Sequence, residues 1–274
     1  MEKIQLLPFS EIRGIGAASG VVFHNNSLFI ISDNSSFLYH YNLSDKILDK
    51  IKLFEDSQES IAKKDKADFE AITLFDNKLY IFGSGSTKRR NNSVTFHLEN
   101  KEVKEKDLSK IYKRLIESIS IADNELNIEG VIITADTIYF FQRGNGTNAQ
   151  NGVFCYDKKS KMVQFRLITL PNINGIQATF TDAILVEGTI YFLAAAENTT
   201  STYNDGEIEG SLIGSIDLMT LQLKSHIQIS TKHKFEGLTL YKKTAIQIEL
   251  LLCEDNDTEE LVSTIYKLVL DKDL

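Results

Sequence analysis

The 274-residue sequence has no tryptophan, two prolines, two cysteines and three methionines. Without an indole face on which a sugar ring could stack, a carbohydrate-stacking role is disfavoured. Cys155 and Cys253 sit in apolar strings (Val153-Phe154-Cys155-Tyr156 and Leu251-Leu252-Cys253-Glu254), so they read as buried thiols rather than half of a zinc site. No apolar run approaches the ~18 residues of a membrane span. The opening Met1-Glu2-Lys3-Ile4-Gln5-Leu6-Leu7-Pro8 lacks the hydrophobic region of a signal peptide. As written, the chain is expected in the cytoplasm; a leader removed from its front would make it secreted or periplasmic. There is also no dense basic block. Lys and Arg total 30 against 38 Asp and Glu, a net charge of −8, which argues against a nucleic-acid or anionic-membrane footprint. The five histidines have no ligand spacing, and no Ser/His/Asp order is evident.

What is present is a repeat. Units begin at Ser19-Gly20-Val21-Val22-Phe23, Glu70-Ala71-Ile72-Thr73-Leu74, Glu129-Gly130-Val131-Ile132-Ile133, Thr181-Asp182-Ala183-Ile184-Leu185 and Glu236-Gly237-Leu238-Thr239-Leu240. These anchors lie 51, 59, 52 and 55 residues apart. In the first four units an aliphatic residue follows nine positions on and an aromatic comes directly after it: Leu28-Phe29, Leu79-Tyr80, Ile138-Tyr139 and Ile190-Tyr191. Period-2 alternation with β-branched and aromatic residues marks strands, and four short strands per unit mark a β-propeller. The fifth unit supplies three strands before the chain ends, so Ile4 to Phe9 is expected to close it. The reading is all-β: a five-bladed β-propeller of four-stranded antiparallel blades, one domain over residues 1–274, and a monomer.

Five segments fall outside the pattern. Ser57 to Lys66 reads as an exposed, Lys-rich loop, and Asn172 to Ala178 and Thr199 to Gly210 as further loops. Leu108, Ile111, Leu115 and Ile119 have helical spacing and predict a short helix over 107–120. The acidic tract from Glu254 to Glu260 reads as a solvated hairpin.

The first strand of a propeller blade lines the central channel, so the anchors Ser19, Glu70, Glu129, Thr181 and Glu236 face a common axis. Three carboxylates converging there repel and raise one another's pKa unless a cation sits among them. Oxygen-only ligands select Ca²⁺ or Mg²⁺ over zinc or copper, and three carboxylates, two hydroxyls and water suit Ca²⁺. The alternative is that these glutamates simply bond backbone amides or water. A turn one residue shorter would put Asp182 in place of Thr181.

The series Ser, Glu, Glu, Thr, Glu resembles that of the calcium-activated nucleotidase (apyrase) family, five-bladed propellers with one central Ca²⁺. The strings Asp68-Phe69-Glu70-Ala71-Ile72, Lys234-Phe235-Glu236-Gly237-Leu238, Ser32-Asp33-Asn34 and Gly83-Ser84-Gly85 are similar in kind. The Glu-Gly-hydrophobic phrase also resembles phytase-like and SdiA-regulated bacterial propellers. The resemblance implies one axial Ca²⁺ and a small phosphate-containing ligand, with Asp33 and Arg143 as candidate catalytic groups for phosphoanhydride or phosphoester hydrolysis. Arg143 would offset charge on phosphate. Lys88, Arg89 and Arg90, on the loop after the blade-two exit, are further basic candidates, of which Arg89 and Arg90 read rather as a solvated loop. A non-catalytic propeller with a structural Ca²⁺ and a ligand-binding face is the other reading. Lactonase or esterase chemistry would require a histidine base that the channel positions lack.

Overall fold

Short left-handed turns set the rhythm of the blades. Asn25-Asn26, Asp76-Asn77 and Glu187-Gly188 hold positive φ at both residues (47° and 60°, 50° and 57°, 48° and 82°). Two successive left-handed residues make the turn whose twist matches antiparallel strands, so each pair closes a hairpin between the first two strands of its blade.

The computed structural model describes residues 4–148, 150–202, 206–255 and 260–271. Five antiparallel sheets form in chain order, within 18–52, 69–107, 128–167, 172–230 and 235–271. Their first strands, Ala18–His24, Phe69–Phe75, Ile128–Ile133, Ile176–Val186 and Phe235–Lys243, touch in succession, and the fifth returns to the first. The N-terminal strand Gln5–Arg13 pairs antiparallel with Val262–Asp271 and completes blade five. The protein is a five-bladed β-propeller. Sequential strands pair within each blade, and joining the two ends of the chain in one sheet closes the circle.

The apolar residues divide into five clusters, one between each pair of neighbouring blades. Val22 and Phe29 of blade one meet Leu79 and Ile81 of blade two. Phe141 meets Phe180 between blades three and four, and Leu193 meets Leu250 between four and five. Val21 and Leu28 meet Leu251 and Cys253 across the closure. The helix Ser109–Ile119 lies between blades two and three, as its spacing predicts. It buries Tyr112 and Leu115 and donates the Tyr112 hydroxyl to the Gly83 carbonyl at 2.7 Å.

Two expected loops differ. Asn172–Ile173 is a strand, paired back on Ile176–Val186 through Asn174-Gly175 (φ 50° and 87°), and it gives blade four a fifth strand. Thr199 to Gly210 is in part strand, because the second hairpin of blade four continues to Asn198 and resumes at Glu207. Residues 256–259 of the acidic tract lie outside the described residues. Among the described residues, no helix is long and apolar enough to cross a membrane.

Candidate functional site on the propeller axis

All five anchor residues share one backbone feature. The ladder between first and second strands slips at Ser19, Glu70, Glu129, Thr181 and Glu236, each the extra residue of a bulge. A bulged residue leaves the pairing and its side chain is re-aimed. The next residue is Gly20, Gly130 or Gly237 in three blades, and close packing explains why. A Cβ on Gly237 would lie 2.8 Å from the Cα of Gly20, and one on Gly130 would lie 2.9 Å from the Ala183 amide nitrogen. Neighbouring first strands therefore approach backbone to backbone.

From those bulges the five side chains take two different roles. The Ser19 hydroxyl donates to the Phe69 carbonyl and the Thr181 hydroxyl to the Phe235 carbonyl, each at 2.6 Å. Each bond ties one blade to the residue just before the axial glutamate of the next blade. Asp182 accepts backbone amides from Ala183 and Leu238, both at 2.7 Å. None of these three lines the axial pocket. Glu70, Glu129 and Glu236 do, together with Asp33 and Arg143.

The pocket is polar and dense in charge. Seven carboxylates line it against five cationic side chains, and about 60 Å³ of it is open to water centres. That is room for an ion with a few waters, well below the ~300 Å³ at which pockets begin to enclose drug-sized ligands. Glu129 accepts from Asn127 Nδ2 at 2.7 Å and from Arg143 at 3.2 Å, and the other arm of Arg143 meets Glu197. Glu236 pairs with Lys234 Nζ at 2.8 Å, which also lies 3.5 Å from Asp255. Asp68 accepts from Arg90 at 2.7 Å and from Ser84 Oγ at 2.5 Å, and its other oxygen lies 3.0 Å from Lys66 Nζ. Lys66 also pairs with Asp33. Two of the three axial glutamates thus meet a cation from their own chain.

Glu70 is different. Among the described residues, no hydrogen bond or ion pair engages its carboxylate. Its oxygens converge with those of Asp33 and Asp68, one atom from each lying within 4.8 Å of the others. Burial pushes the Glu70 pKa well above the usual carboxylate range, and Asp68, Glu129 and Glu236 add to the push. Burial also raises Glu236, with Lys234 opposing, and Asp33, with Lys66 opposing. Burial lowers Lys66, but Asp68 and Asp33 more than offset it and hold the ammonium protonated.

A pH dependence follows. The folded state holds the Glu70 proton more tightly than the unfolded chain, whose carboxyl titrates near 4.5. Stability without a cation should therefore fall as pH rises from about 4.5 through the raised folded value. Glu70→Gln should flatten that slope and raise stability in chelator at the alkaline end of the range, where the wild-type carboxyl has lost its proton. Urea midpoints across pH 5–8 measure both effects, and an unchanged slope would place the Glu70 charge in water.

Several pocket residues escape a reading based on the anchors alone: Lys66, Asp68, Arg90, Glu197, Lys234 and Asp255. Two positions before an anchor is the same-face position of a strand, and Lys66-Ala67-Asp68-Phe69-Glu70 and Lys234-Phe235-Glu236 repeat it. That alternation was the available signal. Lys66 and Arg90 are buried at 7% and 4% exposure, so the loops that carry them are not wholly solvated. Arg89 is exposed and pairs with Asp65.

Among solved structures the chain is similar to a luciferin-regenerating enzyme, with a TM-score of 0.50 and 11% identity, covering 97% of this chain and 95% of that one. It is also similar to the Pan2 WD40 domain of Neurospora crassa, with a TM-score of 0.44 and 10% identity, covering 91% and 74%. At 11% identity the likeness to the luciferin-regenerating enzyme speaks to the fold alone. No curated protein matches the sequence. A family model does match, over residues 14–270, and by that match the chain belongs to the family of unknown function DUF6929.

Proposed function

We propose that this propeller binds a hard divalent cation, Ca²⁺, in its axial pocket, with Asp33, Asp68 and Glu70 as the principal carboxylate ligands. The observation that carries this reading is Glu70: a carboxylate that no hydrogen bond or ion pair engages among the described residues, facing the buried Asp68 and, like Asp33, only partly exposed. Ca²⁺ takes oxygens at about 2.3–2.6 Å, so ligands on opposite sides of the ion lie about 4.6–5.2 Å apart. One oxygen from each of Asp33, Asp68 and Glu70 lies within 4.8 Å of the others, close enough for a single ion to reach all three. Glu129 and Glu236 complete the negative field while keeping Arg143 and Lys234 as partners. Ser19 and Thr181 act at one remove, by fixing the strands that present Glu70 and Glu236.

The test is the melting temperature of chelated protein with and without millimolar Ca²⁺, then with Mg²⁺. An ion present at ~100 times its dissociation constant stabilises by about 2.7 kcal/mol. A Ca²⁺-selective rise that Glu70→Gln abolishes is the expected result. No rise, in protein that metal analysis finds empty, removes the reading.

Hydrolysis of a phosphoanhydride or phosphoester is the second reading. In its favour, Lys63 and the four buried cations ring the same opening as the carboxylates, so a phosphate on the ion would meet positive charge. Asp33 and Arg143, its candidate catalytic groups, already hold Lys66 and the Glu129–Glu197 pair, and each would exchange partners for substrate. Ca²⁺-dependent phosphate release from ATP or p-nitrophenyl phosphate would support it. Ca²⁺ binding without release leaves a structural or ligand-binding ion.

A further inference from the structure

Residues 61–66 run along the mouth of the axial pocket and end in Lys66. Several bonds hold the segment in place. The Ile61 amide donates to the Asn34 carbonyl at 2.8 Å, and the Asp65 and Lys66 amides turn back on the Ala62 carbonyl at 2.8 and 3.2 Å. Arg90 donates to the Lys63 carbonyl at 3.2 Å, and Arg89 meets the Asp65 carboxylate at 3.0 Å. The strongest attachment is Lys66 itself. Its ammonium, on a side chain 8% exposed, lies between Asp33 and Asp68, two of the three converging carboxylates.

We infer that Lys66 is a tethered counter-ion standing in the place of the divalent cation, and that cation binding expels it and loosens segment 61–66 at the mouth. This rests on the reading that the pocket takes a divalent cation. An ammonium is a compact point charge with three donors, and it cannot share the same Asp33 and Asp68 oxygens with a metal ion. A monovalent ion that replaced it would bring no additional charge and would compete against a group held at the site by its own chain. Tethering gives such a competitor an effective concentration in the millimolar range or above. A divalent ion brings one charge more and also engages Glu70, which the ammonium leaves unpaired. Lys66 thereby sets both the affinity of the site and its preference for divalent over monovalent ions. Once the ammonium leaves, the segment loses its anchor between Asp33 and Asp68, and a segment with fewer buried attachments opens locally at lower cost.

Two measurements test this. The first is calorimetric Ca²⁺ titration of chelated wild type and Lys66→Met, where the variant is expected to bind at least 10-fold more tightly. The second is cleavage of wild type by endoproteinase Lys-C, which cuts after lysines such as Lys63, Lys64 and Lys66. Cleavage there is expected to quicken several-fold with Ca²⁺ but not with NaCl at equal ionic strength. Removing a positive charge could tighten binding by itself; the cleavage arm needs no variant and isolates the displacement. If both proteins bind Ca²⁺ equally, or if Ca²⁺ slows cleavage within 61–66, the Lys66 inference fails and the cation reading stands. If neither binds a divalent ion, both fail. Should Lys66→Met not fold, the wild-type cleavage result decides.

Discussion

Arg143→Met should lower the free energy of unfolding by about 3–5 kcal/mol, the usual consequence of removing one partner from a buried ion pair. The guanidinium serves two carboxylates at once. Its side chain is 6% exposed, and those of Glu129 and Glu197 are 4% and 3% exposed. Without it, Glu129 keeps Asn127 Nδ2 and Glu197 keeps the Gly206 amide, which are hydrogen bonds but not counter-charges. Arg143→Lys should recover only part of the loss, because a single ammonium does not span both acids as the planar fork does. The triple variant Arg143→Met, Glu129→Gln, Glu197→Gln should recover most of it, since neutral amides leave no uncompensated charge. Chemical denaturation in chelator measures the series. A loss below about 1 kcal/mol for Arg143→Met would mean that water already screens these groups, against the description of a desolvated charge network. The stability series also has to precede any kinetic one: lost phosphatase activity in an Arg143 variant says nothing about phosphate until the fold is shown to hold.

The fold was legible because a propeller writes its period into the sequence. Aliphatic-aromatic pairs nine residues after each of the first four anchors mark second strands that the structure places beside the first, and the missing strand of blade five is found at the N-terminus. The roles of the anchors were less legible. Ser19 and Glu70 occupy equivalent bulges, yet one bonds a neighbouring carbonyl and the other faces the pocket. A hydroxyl is short and carries a donor, so it reaches the unpaired inner edge of the adjacent strand; a glutamate is longer and accepts only. Side-chain length and donor capacity separate the two roles, and repeat position alone does not. The cations were harder still. Lys66 and Arg90 lie in polar stretches that look solvated, and only the folded loops before and within blade two turn them in against Asp68 and, for Lys66, against Asp33 of the neighbouring blade. The turn Asn174-Gly175 had a local signal, an Asn-Gly pair, but strands only two residues long on one side gave too little alternation to accompany it.

Asp182→Ala is expected to be nearly as costly as the loss of Arg143, by about 3–4 kcal/mol, although Asp182 lies outside the pocket. Beyond the short Asn172–Ile173 pairing in blade four, the axis-side edge of each first strand has no ladder partner, and its amides must find acceptors elsewhere. Thr239 Oγ1 accepts the Phe23 amide from blade one, and Asn151 Oδ1 accepts the Phe180 amide from blade four, both at 2.9 Å. Asp182 does this twice, for Ala183 in its own strand and for Leu238 in blade five. Alanine would leave both amides buried and unsatisfied at about 1–3 kcal/mol each, and would open a gap beside Gly130, whose strand packs directly against the Asp182 backbone. Asp182→Asn keeps the shape and one good acceptor, so it should lose roughly half as much. The ordering Ala worse than Asn, read from urea midpoints in chelator, is the test. If Ca²⁺ protects Asp182→Ala by as much as it protects wild type, Asp182 supports the ring without ligating. Loss of the Ca²⁺ response in Asp182→Asn, with stability largely kept, would instead make Asp182 the blade-four ligand and move the ion from Asp33 and Asp68 toward blades four and five.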